Sequence, residues 1–312
     1  MQTSLLSTKI KSHGYNLGFD LIGFAKADFM EEEARDLEAW LNERKHGEMH
    51  YMANHFDKRT DPRLLVDGAK SVISVMHNYF PGEGVSQPEG APKISRYAWG
   101  KDYHKVLKNK LYRLLEFIQE EVKTEVNARV FVDSAPVLDK HWAKRAGLGW
   151  IGKHTNLIAP QKGSWFFIGE IILDVPLQYS EGPIQDYCGT CTRCIDACPT
   201  DALSPYQIDA NKCISYLTIE LKDAMEESYG DQLEGWTYGC DICQEVCPWN
   251  RFSVKTNEAD FQPLDQILLM GKDDWSELEK STFKWLAKKT PMNRIKWEKM
   301  QHNLSLTIPT GH

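Results

Sequence analysis

A chain of 312 residues, 42% hydrophobic and 26% charged, can bury a substantial core without disulfide staples, so its eight cysteines are not there for stability. Its net charge of −7 excludes a globally basic nucleic-acid binder and confines any such contact to a local patch. No run of about 18 apolar residues offers a membrane span, and Met1 to Leu6 lack the apolar stretch of a signal peptide. The expected compartment is therefore the cytoplasm, where thiols stay reduced and free to bind metal.

Along the chain, Glu31 to Arg44 reads as a surface helix and Lys70 to Met76 as a buried strand. Leu107, Leu111, Leu114, Ile118 and Val122 recur at helical spacing and predict an amphipathic helix over 102–123. Arg129 to Asp133 is a short β-rich run ending on an acid, and Trp165 to Leu173 is a second, preceded by a turn at Lys162-Gly163. Between them Gly147, Gly149 and Gly152 mark a loop whose backbone turns tightly or approaches something closely. A basic helical segment from Asp274 to Met300 follows a polar linker, and Leu304 to His312 read as an unstructured end.

All eight cysteines lie between Cys188 and Cys247. Cys188-x2-Cys191-x2-Cys194-x3-Cys198-Pro199 is the run that holds [4Fe–4S] clusters in bacterial ferredoxins, where the fourth cysteine serves the other cluster. A partial mirror, Cys240-x2-Cys243-x3-Cys247-Pro248, lacks its first cysteine, and Cys213 is available to replace it. Crossed ligation assigns Cys188, Cys191, Cys194 and Cys247 to one cluster and Cys198, Cys213, Cys240 and Cys243 to the other, leaving none over. Two structural zinc sites are the alternative, because CxxC pairs also bind zinc, although the twice-used x3-Cys-Pro ending is not a usual zinc spacing. Two clusters form a wire and do no chemistry on a substrate themselves, which directs attention to the cysteine-free residues before them.

Those residues carry Ile94-Ser95-Arg96-Tyr97-Ala98-Trp99-Gly100-Lys101-Asp102-Tyr103-His104, then Val132-Asp133-Ser134-Ala135-Pro136-Val137-Leu138, then Ala146-Gly147-Leu148-Gly149-Trp150-Ile151-Gly152-Lys153. With the cysteine module behind them, these motifs resemble the epoxyqueuosine reductases over about residues 5 to 300. More distantly the layout is similar to that of reductive dehalogenases. The resemblance implies a fold of the α+β or α/β class. A mixed cobalamin and substrate domain (1–177) would be followed by a ferredoxin-like domain with two [4Fe–4S] clusters (178–252) and a short basic helical tail (253–312). Many family members continue into a HEAT-like helical region, so the tail is expected to be short or trimmed. Further implications are a cobalamin cofactor, a tRNA substrate carrying epoxyqueuosine at its wobble position, and electrons from a small carrier such as flavodoxin or ferredoxin. No spacing here signals cobalamin: neither Asp102-x-His104 nor Asp139-x-His141 continues as the mutase-type Asp-x-His-x-x-Gly.

Removing an epoxide oxygen as water needs electrons at carbon and a proton at oxygen. Asp133 ends a predicted strand and is the candidate acid, and the family's proton donor sits in this Val-Asp-x-Ala-Pro motif; an Asp there also serves as a turn former or helix cap. Lys153, His154, Tyr97 and Arg96, and by position beside cluster cysteines Ser215 and Asp241, are candidate cobalamin contacts. Asp139, Lys140 and His141 read as charged residues on a helix face, and Lys58-Arg59 as a solvated pair or a phosphate contact. For tRNA, Lys284, Lys288, Lys289, Arg294, Lys296 and Lys299 stand against the single acid Glu298 over residues 281–300, with Trp285 and Trp297 interleaved; a solvated basic helix is the alternative. Without a heptad or a large apolar stripe the chain is expected to be a monomer. A dehalogenase acting on a small organohalide and a plain electron carrier remain as rival functions.

Overall fold

The computed structural model describes residues 2–222 and 225–308. At its centre is a four-stranded sheet of β1 (Leu21–Lys26), β2 (Ser71–Asn78), β3 (Ala128–Phe131) and β4 (Phe166–Leu173), ordered β1-β2-β4-β3 and antiparallel throughout. Side chains alternate across such a sheet. In β2, Ile73 and Val75 meet Leu107, Leu111 and Leu114 of α3 (Tyr103–Val122) and Ile10 of α1 (Gln2–Asn16). Val72 and Met76 meet Trp142 and Ala143 of α4 (Asp139–Arg145) on the opposite face. Both faces are covered, so all eight residues of β2 are buried and the strand reads as a continuous apolar run rather than an alternating one.

The predicted helices and strands form close to where periodicity placed them. The surface helix α2 ends at Asn42 (Glu31–Asn42), and α3 starts where the Asp102 carboxylate accepts the His104 backbone N–H at 3.1 Å. Helix α1 was not foreseen: its moderate amphipathicity left no clear stripe in the sequence.

In the cysteine-bearing part, two one-turn helices, Arg193–Asp196 and Ile242–Glu245, each begin two residues after the first cysteine of a CxxC, Cys191 and Cys240, and pack on each other. Residues Trp236–Tyr238 pair in parallel with Lys93–Ile94, stitching this part to the first. The segment predicted as one basic helix is instead broken into Lys272–Ser276, α5 (Lys280–Lys289) and α6 (Trp297–Thr307), with Pro291 opening the connection after α5 because it cannot donate a backbone N–H. It packs a core of its own, Trp275, Phe283, Leu286, Met300 and Leu304, against Ile94, Trp99 and Tyr238. Buried Asn303 donates to Thr218 O at 2.8 Å and Thr237 O at 2.9 Å, fixing α6 to the cysteine-bearing part. Leu304 to Thr307, read as the start of an unstructured end, are helical and Leu304 is buried; residues 309–312 lie outside the described ones.

Candidate active site and cluster sites

Cys188, Cys191, Cys194 and Cys247 line one cavity of about 60 Å³. Cys198, Cys213, Cys240 and Cys243 are electrostatic neighbours of one another. Burial first, and then the proximity of other sulfurs, pushes the Cys247 thiol up to about 11 and Cys240 and Cys243 higher still. Four bare thiols in such a space resist ionisation, so thiolates persist there only around a cationic centre. Backbone N–H groups are already in place for that state: Trp249 donates towards the Cys247 sulfur, and Ser215 and Tyr216 towards Cys213. This is the role the structure gives Ser215, through its backbone rather than its side chain.

The glycine-rich segment folds into a small hairpin, Trp150–Ile151 against Leu157–Ile158, beside the first cysteine cavity. Gly147 turns at φ 73°, and a Cβ on Gly149 would lie 2.2 Å from Ile158 O, so the loop's close approach is to its own protein. Lys153 and His154, read as cobalamin contacts, line the cluster cavity instead. The Lys153 ammonium donates to Gly189 O at 2.6 Å and Cys191 O at 3.1 Å, which commits it to the cluster loop. His154 is buried, and burial lowers it to about 4, so the ring is neutral. Its Nδ1 accepts the Asn156 N–H, which leaves the proton on Nε2, an atom with no partner among the described residues. A sulfur-rich inorganic group in that cavity would fit this unmet donor.

Asp133 lies just beyond β3 at φ 50°, a left-handed conformation that Asp adopts more readily than most residues. Tyr103 donates its hydroxyl to Asp133 Oδ2, and His104 Nε2 lies 3.6 Å from the same oxygen. His104 Nδ1 is 2.7 Å from Asp102 Oδ1, so the imidazole bridges two carboxylates. Burial opposes its charge, but the two carboxylates prevail and raise it to about 9. Burial likewise opposes ionisation of Asp133, yet hydrogen bonds from His104 and Tyr103 hold it below the usual carboxylate range. The Asp133 side chain is nonetheless 61% accessible while protein surrounds it on most sides, as expected of a group on the wall of an open cleft.

Behind this wall stand residues the sequence had read as surface charge. Asp139, at the start of α4, accepts the Asp133 backbone N–H at 3.4 Å and meets the fully buried Glu170 of β4. Burial raises both acids; the Asp133 charge then pushes Asp139 further up and the Asp139 charge pushes Glu170 up, while the hydrogen bond from Glu170 draws Asp139 down. Lys140 donates to Thr155 O at 2.9 Å and lies within electrostatic reach of Asp133, Asp139, Cys213 and Cys243; burial lowers its pKa. It, not Lys153, stands between the acid and the second cysteine group. Arg59, read as one of a solvated pair, is buried, donates to Tyr51 O at 2.8 Å, faces Asp139, and leaves its Nε unpartnered among the described residues. Tyr97 packs beside Tyr103 and Tyr238, within electrostatic reach of Asp133. Sequence alone could have found His104 only through its place one residue after Tyr103, and nothing in it pointed to Glu170.

Asp241, a candidate by its place beside a cluster cysteine, is engaged by the protein's own groups. It is 1% exposed, and its carboxylate accepts the Ser95 hydroxyl and the Arg96 backbone N–H and guanidinium, which anchors the Ser95–Arg96 turn to the cysteine-bearing part. Of the basic segment, Lys284, Lys288, Lys289 and Lys296 are exposed, and the Lys289 ammonium sits 3.8 Å over the Trp285 ring. Arg294 differs: it makes a two-pronged ion pair with Glu220 at 2.9 and 2.7 Å and stacks near Tyr51, on the Asp133 side. Trp297 packs on Phe283 as core.

Comparison with known proteins decides what this arrangement is. Residues 59–134 match the family model described as epoxyqueuosine reductase QueG, DUF1730. An epoxyqueuosine reductase from Leadbetterella byssophila is 56% identical over 300 residues, covering 96% of this chain and 97% of that protein. The chain belongs to the epoxyqueuosine reductase family. The Escherichia coli epoxyqueuosine reductase is 46% identical over 83% of this chain and 69% of its own length. A solved epoxyqueuosine reductase, 29% identical, superimposes with a TM-score of 0.85 over 97% of this chain and 81% of its own; another, described as holding an epoxyqueuosine-modified tRNA stem loop, gives 0.82. Residues 187–250 match the 4Fe-4S double cluster binding domain. The chain is thus an iron–sulfur oxidoreductase of this family, and the zinc, plain-carrier and dehalogenase readings fall away. No helix among the described residues is long and apolar enough to cross a membrane.

Proposed function

We propose that the chain reduces epoxyqueuosine to queuosine at the wobble position of tRNA in the cytoplasm, acting as a monomer. In the balanced reaction, the epoxide takes up two electrons and two protons and leaves an alkene and water. The observation that carries this reading is the accessible carboxylate of Asp133, flanked by a charged His104 on one side and by Lys140 and the second cysteine group on the other.

Asp133 is the group that meets the epoxide oxygen. In the protein alone it is held ionised, so the proton store is His104, kept as imidazolium by Asp102. Asp133 draws a proton from His104 and passes it to oxygen as the C–O bond breaks. Tyr103 keeps the carboxylate aimed, and the Asp139 carboxylate holds the Asp133 backbone N–H.

The first cluster takes Cys188, Cys191, Cys194 and Cys247, and the second takes Cys198, Cys213, Cys240 and Cys243. The second would be held beside Lys140, on the Asp133 side, and would supply the electrons when bound. A cobalamin fits the residues present: the unpartnered, buried Arg59 Nε would suit the carbonyl or phosphate oxygens of such a cofactor, and Tyr97 would offer an aromatic wall. When bound, it supplies a low-valent metal that can pass electrons to carbon. Lys284, Lys288, Lys289 and Lys296 meet tRNA phosphates, with a small acidic electron carrier completing the system.

The test is turnover of a tRNA anticodon stem-loop carrying epoxyqueuosine by protein loaded with clusters and cobalamin, with dithionite as reductant. Queuosine should appear in the digested RNA. Intact epoxide after many cluster equivalents of reductant would sink the reading.

A further inference from the structure

Electrons must enter at one place, and the surface around the first cysteine cavity marks it. An open concavity of about 550 Å³ shares Cys247 and Pro248 with that cavity and is walled by Arg96, Arg193 and Arg251 against the single carboxylate of Glu245. Glu245 is already paired with Arg96, whose guanidinium also reaches Asp241 and stacks 5.2 Å from the Trp165 ring. Arg193 and Arg251 are exposed, and neither has an acidic partner among the described residues. Arg193 directly precedes Cys194, and Arg251 follows Cys247 by one turn, its guanidinium held 4.3 Å over the Phe252 ring. In a chain of net charge −7, two guanidiniums without an acidic partner beside a ligand position form a local positive concavity, and the Arg251 guanidinium is held in place by donating to Pro248 O at 3.1 Å.

We propose that this concavity is the docking site of an acidic one-electron carrier protein, which reduces the cluster held by Cys188, Cys191, Cys194 and Cys247. Three arguments favour that occupant. Electron tunnelling falls steeply with distance, and here a partner's redox centre can come against a cysteine that ligates the cluster. Opposite charge steers encounter and raises association rates, from roughly 10⁵–10⁶ to 10⁸–10⁹ M⁻¹s⁻¹ at low salt. The second cysteine group lies instead on the Lys140 and Asp133 side, so the two entrances do not compete for one surface. Each docking moves one electron: the reduced carrier is oxidised, the cluster goes from [4Fe–4S]²⁺ to [4Fe–4S]⁺, and two dockings supply the two electrons of one turnover.

The inference rests on the proposed use of a small carrier, and its test separates the two. A reduced acidic flavodoxin is mixed with the cluster-loaded full chain, and bleaching of the cluster absorbance is followed in a stopped-flow instrument. The wild-type rate should fall steeply with ionic strength. Arg193→Glu with Arg251→Glu should slow it at least tenfold at low salt, while reduction by dithionite, iron content and stem-loop binding stay unchanged. Should the double Glu variant fail to assemble its clusters, Arg193→Gln with Arg251→Gln should slow the reaction severalfold. An unaltered flavodoxin rate overturns the proposal. So does loss of stem-loop binding with that rate intact, which would assign the surface to RNA. Failure of dithionite-driven turnover in the wild type would count against the proposed reaction instead, leaving the docking measurement valid.

Discussion

Glu170 on the central strand and Asp139 at the start of α4 place two carboxyls against each other directly behind the Asp133 backbone. Apart from Asp139, neither Glu170 oxygen has a hydrogen-bond partner among the described residues. Two such groups in contact cannot both ionise, so Glu170 keeps its proton and donates it to Asp139. Both pKa values are raised on folding, Asp139 to about 6, so the pair's contribution to stability is fully present at acidic pH and is lost as pH rises through about 6. Glu170→Gln keeps the donor and cannot ionise, so its denaturant midpoint should hold up better than wild type between pH 5 and pH 8. Glu170→Leu removes the donor and should cost about 1–3 kcal/mol. Parallel pH curves for wild type and the Gln variant would show that the pair does not share a proton.

Asp133→Asn keeps the side-chain shape but cannot relay the proton drawn from His104. Stem-loop turnover should drop by about 10²–10⁴-fold. The cluster absorbance and stem-loop affinity should not change, since Asp133 touches no cysteine. Wild-type turnover in this variant would remove Asp133 from the chemistry.

His104 gives the reaction an alkaline limit. Its folded pKa is about 9, above its ordinary value, so the imidazolium and its ion pairs are complete below about 6.5 and lost as pH rises through about 9. The turnover number should fall along the same limb. His104→Gln should lower turnover at pH 7 and flatten that limb; a variant whose profile still bends near 9 would place the titrating group elsewhere.

Gly149→Ala tests the glycine-rich hairpin. The new Cβ would lie 2.2 Å from the backbone carbonyl of Ile158, and neither segment can yield without moving Trp150, which is 1% exposed and packs with Cys188 and Cys247. The expected cost is about 1–3 kcal/mol, with a lowered midpoint of thermal unfolding and slower cluster reconstitution. A variant as stable as wild type would show that the loop is open to a ligand.

Binding of the stem-loop should weaken with salt. For single-stranded RNA each phosphate contact contributes about −0.7 to the slope of log K against log salt concentration. Lys284→Gln with Lys288→Gln should therefore flatten the slope by about 1.4, whereas Arg294→Gln should alter it less because Glu220 already neutralises that guanidinium. Fluorescence anisotropy of a labelled stem-loop from low to moderate salt measures both.

Residue order by itself determined the redox module. Cluster ligands must be cysteines at short, repeated spacings, so Cys188 to Cys198 and Cys240 to Cys247 announce their chemistry without any fold. Helix α3 and strands β2 and β4 were equally legible, because a local apolar period specifies them. The reaction site was not, because its members are far apart in sequence. Asp102 to His104 open α3, Asp133 follows β3, Asp139 and Lys140 open α4, and Glu170 lies inside β4. Only the pairing of β4 between β2 and β3, with α3 on one face and α4 on the other, brings these groups to one end of the sheet. The same packing buried Arg59 and half-buried Lys140, which a charge count leaves in solvent. It also turned Lys153 and Asp241 inward to hold the protein's own backbone, where a motif suggested a cofactor. Spacing specifies ligands because one short loop can deliver them; a proton path needs groups from several elements, and only tertiary packing sets their distances.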